Sequence, residues 1–170
     1  MLENDFNKFF MNLALEQGKK CTSTATAYNV GAVLVNATVT STTDVQKLIN
    51  QKLVFTGYSR ELPGNTHAEQ VCLMKHEKSR LPLSDYILFT TMEPCTERLS
   101  GKLPCAQNII DRQGKHLNII KLVMACKEPP HFVNGKGISV LQKFGLSIQR
   151  LDQQFEIQAL SLNSHVLKEQ

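Results

Sequence analysis

The chain has 170 residues, 42% of them hydrophobic, which suits a single domain with a buried apolar core. Its net charge is only +4 and its basic residues are spread along the chain, which argues against a nucleic-acid partner. Because it lacks a signal peptide and any apolar run near the ~20 residues of a membrane helix, and has five cysteines, an odd number, we expect a cytoplasmic protein without a membrane partner.

The first third of the chain predicts one helix followed by two strands. Apolar residues at spacings of three and four over residues 6–14 indicate an amphipathic helix, with Gly18 after it. Residues 28–35 and 53–58 are short apolar runs rich in β-branched and aromatic side chains, and they predict two strands that pair antiparallel. Residues 36–51 are rich in Thr, Ser and Asn, so we expect an exposed insertion there.

From His67 onwards, helices and strands are predicted to alternate. A helix begins at His67, and the later segments are strands at residues 86–91, 119–126 and 146–151, helices at 105–112 and about 140–144, and a final helix at 152–170. Such alternation after a hairpin indicates a three-layer α/β/α domain with a central mixed five-stranded sheet whose later strands run parallel. We therefore expect one domain over residues 1–170, with its core at about 25–150 and a helical tail at 152–170.

Two short segments carry residues suited to metal chemistry. His67 and Glu69 stand at the predicted helix start, Cys95 follows the strand at 86–91, and Cys105 opens the next helix. One imidazole and two thiolates suit Zn²⁺, and three protein ligands leave one tetrahedral position open, as in catalytic zinc sites. Glu69 can carry protons there without binding the metal. The H-x-E and P-C pattern is typical of zinc nucleobase deaminases.

Each of these residues alone has a common structural role. A histidine often stands at a helix start, Glu69 could be a solvated first-turn acid, and Cys95 a small buried side chain. Their combination, each after a predicted turn or strand, favours the metal site. The remaining cysteines lie in or near apolar runs without a partner at zinc-site spacing, and we expect them to serve packing: Cys21, Cys72 and Cys126.

The spacing between Cys95 and Cys105, the paired cysteines of the metal motif, narrows the choice among families of zinc deaminases. Nine residues separate Cys95 from Cys105, whereas common zinc deaminases place two residues there. This long loop, G-N-T-H-A-E at residues 64–69 and V-G-A-V-L-V at 30–35 resemble the pyrimidine deaminases of riboflavin biosynthesis. The resemblance covers about residues 25–150, and the sequence is most similar to the fungal form of these enzymes. It implies a cytidine deaminase-like fold with Zn²⁺ bound by His67, Cys95 and Cys105, and Glu69 as the catalytic residue.

The same resemblance implies a reaction and a set of partners. The expected substrate is a phosphorylated small-molecule pyrimidine, 2,5-diamino-6-ribitylamino-4(3H)-pyrimidinone 5′-phosphate, which would lose its 2-amino group as ammonia. The expected assembly is a homodimer. Bacterial members of the family have a Pro-Asn-Pro segment before the first strand, and its asparagine approaches the substrate. This chain has Thr26, Ala27 and Tyr28 there, so we do not expect that contact here. The residues expected near the substrate are Asn65, Ala68, Pro94, Arg98, His131 and Lys136.

Two other interpretations stay open from the sequence. A zinc deaminase of cytosine, guanine or tRNA adenosine would keep the same metal chemistry, but a nucleic-acid editor should show a basic face and a short C-x-x-C, and this chain shows neither clearly. An interaction module with a structural metal should have a fourth protein ligand or lack Glu69.

Overall fold

The structure is a computed structural model that describes residues 3–42, 44–115, 117–130, 132 and 135–167. Helices and strands alternate after the first strand pair, as predicted. In chain order they are α1 (Glu3–Gly18), β1 (Gly31–Asn36), α2 (Val45–Asn50), β2 (Val54–Tyr58), α3 (Ala68–Ser79), β3 (Asp85–Met92), α4 (Cys105–Arg112), β4 (Asn118–Cys126), α5 (Gly137–Lys143), β5 (Ser147–Arg150), α6 (Gln153–Ser161) and α7 (Ser164–Leu167).

The five strands form one mixed sheet in the order β2-β1-β3-β4-β5. β1 pairs antiparallel with both β2 and β3, whereas β3, β4 and β5 run parallel, so the predicted strand directions are confirmed. Because β3 and β4 are parallel, their carboxyl ends meet at one edge of the sheet. The segments that contain Cys95 and Glu128 both start from this edge.

Helices cover both faces of the sheet and enclose two apolar cores. α1 and α6 pack on one face, where Phe10, Val33 and Phe89 are buried, and α3, α4 and α5 pack on the other, where Leu34 and Ile109 are buried. The neighbours Val33 and Leu34 enter different cores because side chains alternate along a strand. This is the predicted three-layer arrangement. None of the helices in the described residues is both long and apolar enough to span a bilayer.

Helix α3 lies directly against strand β2 at Gly57. A Cβ atom at this position would lie 2.5 Å from the carbonyl oxygen of Ala68 and 2.9 Å from Cβ of Val71. The missing side chain therefore lets the first turn of α3 reach the sheet. That turn follows His67 and contains Glu69, so Gly57 sets how deep both side chains sit.

Strand β1 begins at Gly31 rather than at residue 28 as predicted. The backbone before it is bonded outside the sheet: the N–H of Asn29 donates to Oδ1 of Asn163 at 2.6 Å. The side chain of Asn29 donates in addition to the carbonyl of Leu162 at 3.1 Å. These bonds compete with the strand ladder, and Tyr28 and Val30 line a pocket instead of extending the strand.

Two other predicted segments contain more structure than the sequence indicated. The insertion at residues 36–51 contains the short helix α2, whose N-cap Asp44 accepts a hydrogen bond from the N–H of Lys47 at 2.9 Å, and its Val39 is buried. The tail at 152–170 was predicted as one helix, and it forms α6 and α7 instead. The break falls at Asn163, whose side chain donates to the carbonyl of Ala159 at 3.1 Å.

Candidate metal centre and pocket

One edge of the sheet gathers the side chains that the sequence motifs marked. His67 is the N-cap of α3, Cys95 stands three residues after Met92 at the end of β3, and Cys105 is the first residue of α4. The donor atoms of these His and Cys side chains all lie within 4.8 Å of one another. Regular elements therefore carry the three predicted ligands to one point.

The spacing of the three side chains fits zinc. Nδ1 of His67 lies 3.5 Å from Sγ of Cys95 and 3.4 Å from Sγ of Cys105. Tetrahedral zinc, with Zn–N of about 2.0 Å and Zn–S of about 2.3 Å, places a nitrogen and a sulfur ligand about 3.5 Å apart. Within the described residues no fourth His, Cys, Asp or Glu joins this group, so one coordination position stays open. An open position is the pattern of catalytic zinc sites rather than structural ones.

The start of α4 prepares Cys95 to bind a metal. The N–H of Cys105 donates to Sγ of Cys95 at 3.4 Å, and the N–H of Ala106 donates to its carbonyl oxygen at 3.0 Å. Hydrogen bonding from the Cys105 thiol, helped by His67, holds the pKa of Cys95 well below its usual value. The thiolate is the form that binds metal, so this sulfur is ready for it.

Glu69 is buried beside the three predicted ligands, with 3% of its surface exposed. Its Oε1 accepts a hydrogen bond from Oγ1 of Thr90 at 3.3 Å, and its Oε2 accepts one from the Cys105 thiol at 3.5 Å. Burial raises the pKa of Glu69, and the nearby charge of Cys95 raises it further. A carboxyl group with a raised pKa can take up and release a proton near neutral pH.

A pocket opens next to these side chains. We call His67, Glu69 and Cys95 its motif wall, and residues 26–28, which precede β1, its loop wall. The other lining residues come from the ends of β1, β2 and β3, the turn before α3, the loop between the paired cysteines and the loop after β4: Val30, Ser59, Arg60, Asn65, Met92, Glu93, Glu97, Arg98, Leu99, Ser100, Glu128 and Phe132.

Hydrogen bonds between distant parts of the chain hold the loop wall. The guanidinium of Arg60 donates to the carbonyl of Thr22 at 3.0 Å, to the carbonyl of Tyr28 at 3.0 Å and to Oδ1 of Asn29 at 2.5 Å. The fully buried side chain of Asn163 accepts from the N–H of Asn29 and donates to its carbonyl at 3.2 Å. Both peptide groups of Asn29 are therefore fixed by one side chain of the tail.

Arg60 and Asn163 hold the loop wall, although the sequence does not mark them as functional residues. Neither belongs to a motif, and a polar residue in a polar segment carries no periodic signal. Arg60 does adopt a left-handed backbone with φ of 66°, which is uncommon for a residue other than glycine, but only the structure shows this.

Two of the predicted substrate contacts lie at the pocket. Asn65 and Arg98 both line it. The guanidinium of Arg98 donates to Oε1 of Gln70 at 3.0 Å and to the backbone carbonyl of Asn65 at 2.6 Å. Arg98 therefore braces the turn before His67, and its role in binding a substrate stays a prediction.

The other predicted contacts are placed elsewhere or lie outside the described residues. Ala68 and Pro94 are buried and do not line the pocket. Lys136 is the exposed N-cap of α5 and does not line it either. His131 lies outside the described residues, so the structure does not place its side chain.

Comparison with known sequences identifies the motifs as those of a family. Residues 4–121 match the cytidine and deoxycytidylate deaminase zinc-binding region. The chain is 37% identical over 141 residues to the diaminohydroxyphosphoribosylamino-pyrimidine deaminase of Schizosaccharomyces pombe, a match that covers 82% of this chain and 30% of that protein. The chain spans about a third of the length of the curated relatives that it matches.

Solved structures show the same fold. The Rib2 deaminase of Aspergillus oryzae superposes with a TM-score of 0.73 at 30% identity, over 92% of this chain and 89% of that chain. A structure of the same enzyme in complex with DARIPP gives a TM-score of 0.68 at 27% identity, over 94% of this chain and 99% of that chain. The predicted cytidine deaminase-like fold and the resemblance to riboflavin-biosynthesis deaminases are confirmed.

Proposed function

We propose that this chain, which belongs to the zinc-binding cytidine and deoxycytidylate deaminase family, is a zinc-dependent hydrolytic deaminase of riboflavin biosynthesis. Its substrate would be 2,5-diamino-6-ribitylamino-4(3H)-pyrimidinone 5′-phosphate, and its products 5-amino-6-ribitylamino-2,4-pyrimidinedione 5′-phosphate and ammonia. The observation that carries the proposal is the pocket whose motif wall joins a zinc-type ligand set to the buried Glu69. The Aspergillus oryzae relative that binds DARIPP supports the choice of substrate.

His67, Cys95 and Cys105 would hold the zinc ion, which when bound supplies Lewis-acid chemistry and lowers the pKa of a water ligand towards ~7. Glu69 would manage the protons. Its carboxylate takes the proton that the attacking water gives up, passes it to the ring nitrogen beside C2, and later protonates the departing 2-amino group. The C2–O bond forms first, and the C2–N bond breaks afterwards, when the second proton of the water passes through Glu69 to the departing 2-amino group and a C2 carbonyl is left. One water is consumed and one ammonia is released, so no oxidant or reductant is needed.

The proposed substrate carries a ribityl chain, and this choice has to be compared directly with a ribosyl chain. The name of the Schizosaccharomyces pombe relative contains a phosphoribosylamino group, whereas the ribitylamino compound is our proposed substrate. Both carry the same pyrimidine, so the motif wall would treat them alike. We infer that the loop wall and the loop between the paired cysteines make the choice, because together they supply much of the pocket lining outside the motif wall.

The experiment is a parallel assay of ammonia release by the zinc-loaded chain. The substrates are the ribitylamino pyrimidine phosphate, its ribosylamino counterpart and cytidine, and the control is protein stripped of zinc and then reloaded. We expect release from the ribitylamino compound alone, lost on stripping and restored by zinc. Turnover of cytidine in its place would contradict the riboflavin assignment. No turnover of any substrate by protein that holds zinc would contradict the enzyme itself.

We also propose a cytoplasmic homodimer built from one domain per chain. The single five-stranded sheet, which both cores share, supports the single domain. Phe144 is 49% exposed and Ile157 is 60% exposed, and such apolar side chains would be covered in a dimer. Light scattering on the purified chain would give twice the mass of 19.1 kDa, and a single-chain mass would contradict the dimer.

A further inference from the structure

Thr90 carries a buried hydroxyl group on the face of the sheet that packs against α3. It lies in β3 and is fully buried, and Leu88, two residues earlier on the same face, belongs to the apolar core beneath α3. A valine would fill this position with nearly the same shape, and a buried hydroxyl group costs stability unless it is hydrogen-bonded. The hydrogen-bond partners of this hydroxyl group therefore indicate what Thr90 does.

The Thr90 hydroxyl group reaches the predicted proton carrier. Its Oγ1 lies 3.3 Å from Oε1 of Glu69 and 3.0 Å from the carbonyl oxygen of Met92. A hydroxyl group has one hydrogen to donate, and a carboxylate is a stronger acceptor than a neutral carbonyl. The hydrogen is therefore directed at Glu69 when Glu69 is ionised. Thr90 does not line the pocket, so it influences the reaction only through Glu69.

The carboxylate of Glu69 needs an anchor of this kind, because the last side-chain torsion of a glutamate has broad minima and the group rotates easily. Within the described residues two side chains donate to it, Thr90 to Oε1 and the Cys105 thiol to Oε2 at 3.5 Å. Cys105 is a predicted zinc ligand, and a thiol loses its proton when it binds a metal. The Cys105 hydrogen bond is then lost, and Thr90 is the side-chain donor that remains.

We propose that Thr90 is a positioning residue that holds Oε1 of Glu69 and thereby leaves Oε2, the oxygen beside Cys105, to move protons. The inference rests on the proposed function for the reaction that Glu69 serves. Without the Thr90 hydroxyl group the carboxylate rotates, and an oxygen is aimed at the attacking water for less of the time. A small misplacement of a catalytic group costs up to about 100-fold in rate.

Thr91, the next residue along β3, offers a matched control. It is also buried, but its side chain lies on the opposite face of the sheet. Its Oγ1 accepts a hydrogen bond from the N–H of Gly31 at 3.1 Å and so holds the start of β1. Thr91→Val removes a buried hydroxyl group from the same strand without removing a partner of Glu69. The two threonines therefore separate a structural role from a positioning role.

The experiment compares wild type, Thr90→Val, Thr90→Ser and Thr91→Val, each loaded with zinc. Thr90→Val keeps the shape of the side chain and removes the hydroxyl group, whereas Thr90→Ser keeps the hydroxyl group. Steady-state assays give kcat and KM for the ribitylamino pyrimidine phosphate, and metal analysis gives the zinc content. A double-mutant cycle of Thr90→Val with Glu69→Ala, followed by melting temperature, tests the contact without turnover.

We expect Thr90→Val to lower kcat by about 10- to 100-fold while KM stays within about threefold and zinc stays bound. Thr90→Ser should restore kcat to within about threefold of wild type. Thr91→Val should lower the melting temperature and leave kcat within about threefold. In the cycle, the melting shift of the double variant should differ from the sum of the single shifts by about 2–4 °C, because both substitutions remove the same interaction.

A kcat within twofold of wild type in Thr90→Val would overturn the inference. Failure of Thr90→Ser to restore kcat, an equal loss of kcat in Thr91→Val, or additive melting shifts in the cycle would overturn it too. A wild-type protein that holds zinc and shows the non-additive melting shifts, but releases no ammonia, would keep the contact between Thr90 and Glu69 and contradict the proposed function instead.

Discussion

The motif wall and the loop wall line one pocket but owe their positions to different interactions. His67 stands at the N-terminus of a helix and Cys95 just beyond the end of a strand, so regular elements place them. Tyr28 lies outside the sheet, and its segment is held by Arg60 and by Asn163, which bonds to a residue 134 positions away. The difference indicates that local structure positions the motif wall, whereas long-range hydrogen bonds position the loop wall.

The largest effect is expected from removing a predicted zinc ligand in Cys105→Ala. Two ligands bind zinc far more weakly than three, so metal content should fall from one ion per chain towards zero and ammonia release should reach background. Cys21→Ala is the matched control, because Cys21 is a half-buried thiol outside the ligand group and should leave zinc in place. Metal analysis of both variants checks this, and full zinc occupancy in Cys105→Ala would remove Cys105 from the site.

The second-largest effect is expected from Gly57→Ala, which should displace the first turn of helix α3 from the sheet. In Gly57→Ala the new Cβ would lie 2.5 Å from the carbonyl of Ala68, so the first turn of α3 must move away from the sheet. We expect a loss of about 1–3 kcal/mol in the free energy of unfolding and a lower kcat, because His67 and Glu69 move with that turn. Urea unfolding and steady-state kinetics measure both. An unchanged kcat would show that the motif wall tolerates displacement.

Disturbing the loop wall should affect KM rather than kcat. Asn163→Ala leaves the buried N–H and carbonyl of Asn29 without partners, which should cost about 1–3 kcal/mol in unfolding free energy. We expect KM to rise several-fold while kcat and zinc content change little, because the motif wall is untouched. Asn12→Ala on the exposed face of α1 is the control. A fall in kcat with an unchanged KM would contradict the division of labour between the walls.

The smallest effect is a pH dependence of stability. Burial raises the pKa of Glu128 from the ordinary 4.5 to about 8, helped by the negative charges of Cys95, Glu69 and Glu93. The unfolded chain therefore loses this proton at lower pH than the folded chain. The contribution of the protonated Glu128 carboxyl group to the free energy of unfolding is therefore complete below pH 4.5. It is lost as pH rises through about 8.

Glu128→Gln should abolish this dependence. The stability of the variant relative to wild type should therefore increase between pH 6 and pH 8.5, which urea unfolding at several pH values measures. A constant difference across this range would show that Glu128 is already ionised at pH 6.

The elements around the motifs could be predicted because their signals are local. The segment of β3 is rich in apolar and β-branched residues, and α3 follows a Pro-Gly-Asn turn, so the sequence predicts both ends of β3 and the start of α3 to within one residue. The candidate site follows from those elements, since His67, Glu69, Cys95 and Cys105 stand at their ends. Locating these four residues required no knowledge of contacts between distant parts of the chain.

The rest of the pocket could not be predicted for the same reason. Residues 28–30 have the composition of a strand, and only the hydrogen bonds from Asn163 and Arg60 show why they leave the sheet. Lys136 has a suitable charge for a phosphate, but the fold leaves it exposed at the start of α5, outside the lining.

The most direct test of the account is Glu69→Gln in the zinc-loaded chain, with metal content and ammonia release from the ribitylamino pyrimidine phosphate measured on the same sample. Glutamine keeps the shape of Glu69 but cannot carry the proton. The account predicts one zinc per chain and a kcat lower by about 10²- to 10⁴-fold. A kcat equal to wild type, or loss of zinc from the variant, would contradict the assignment of Glu69 as the proton carrier beside the metal.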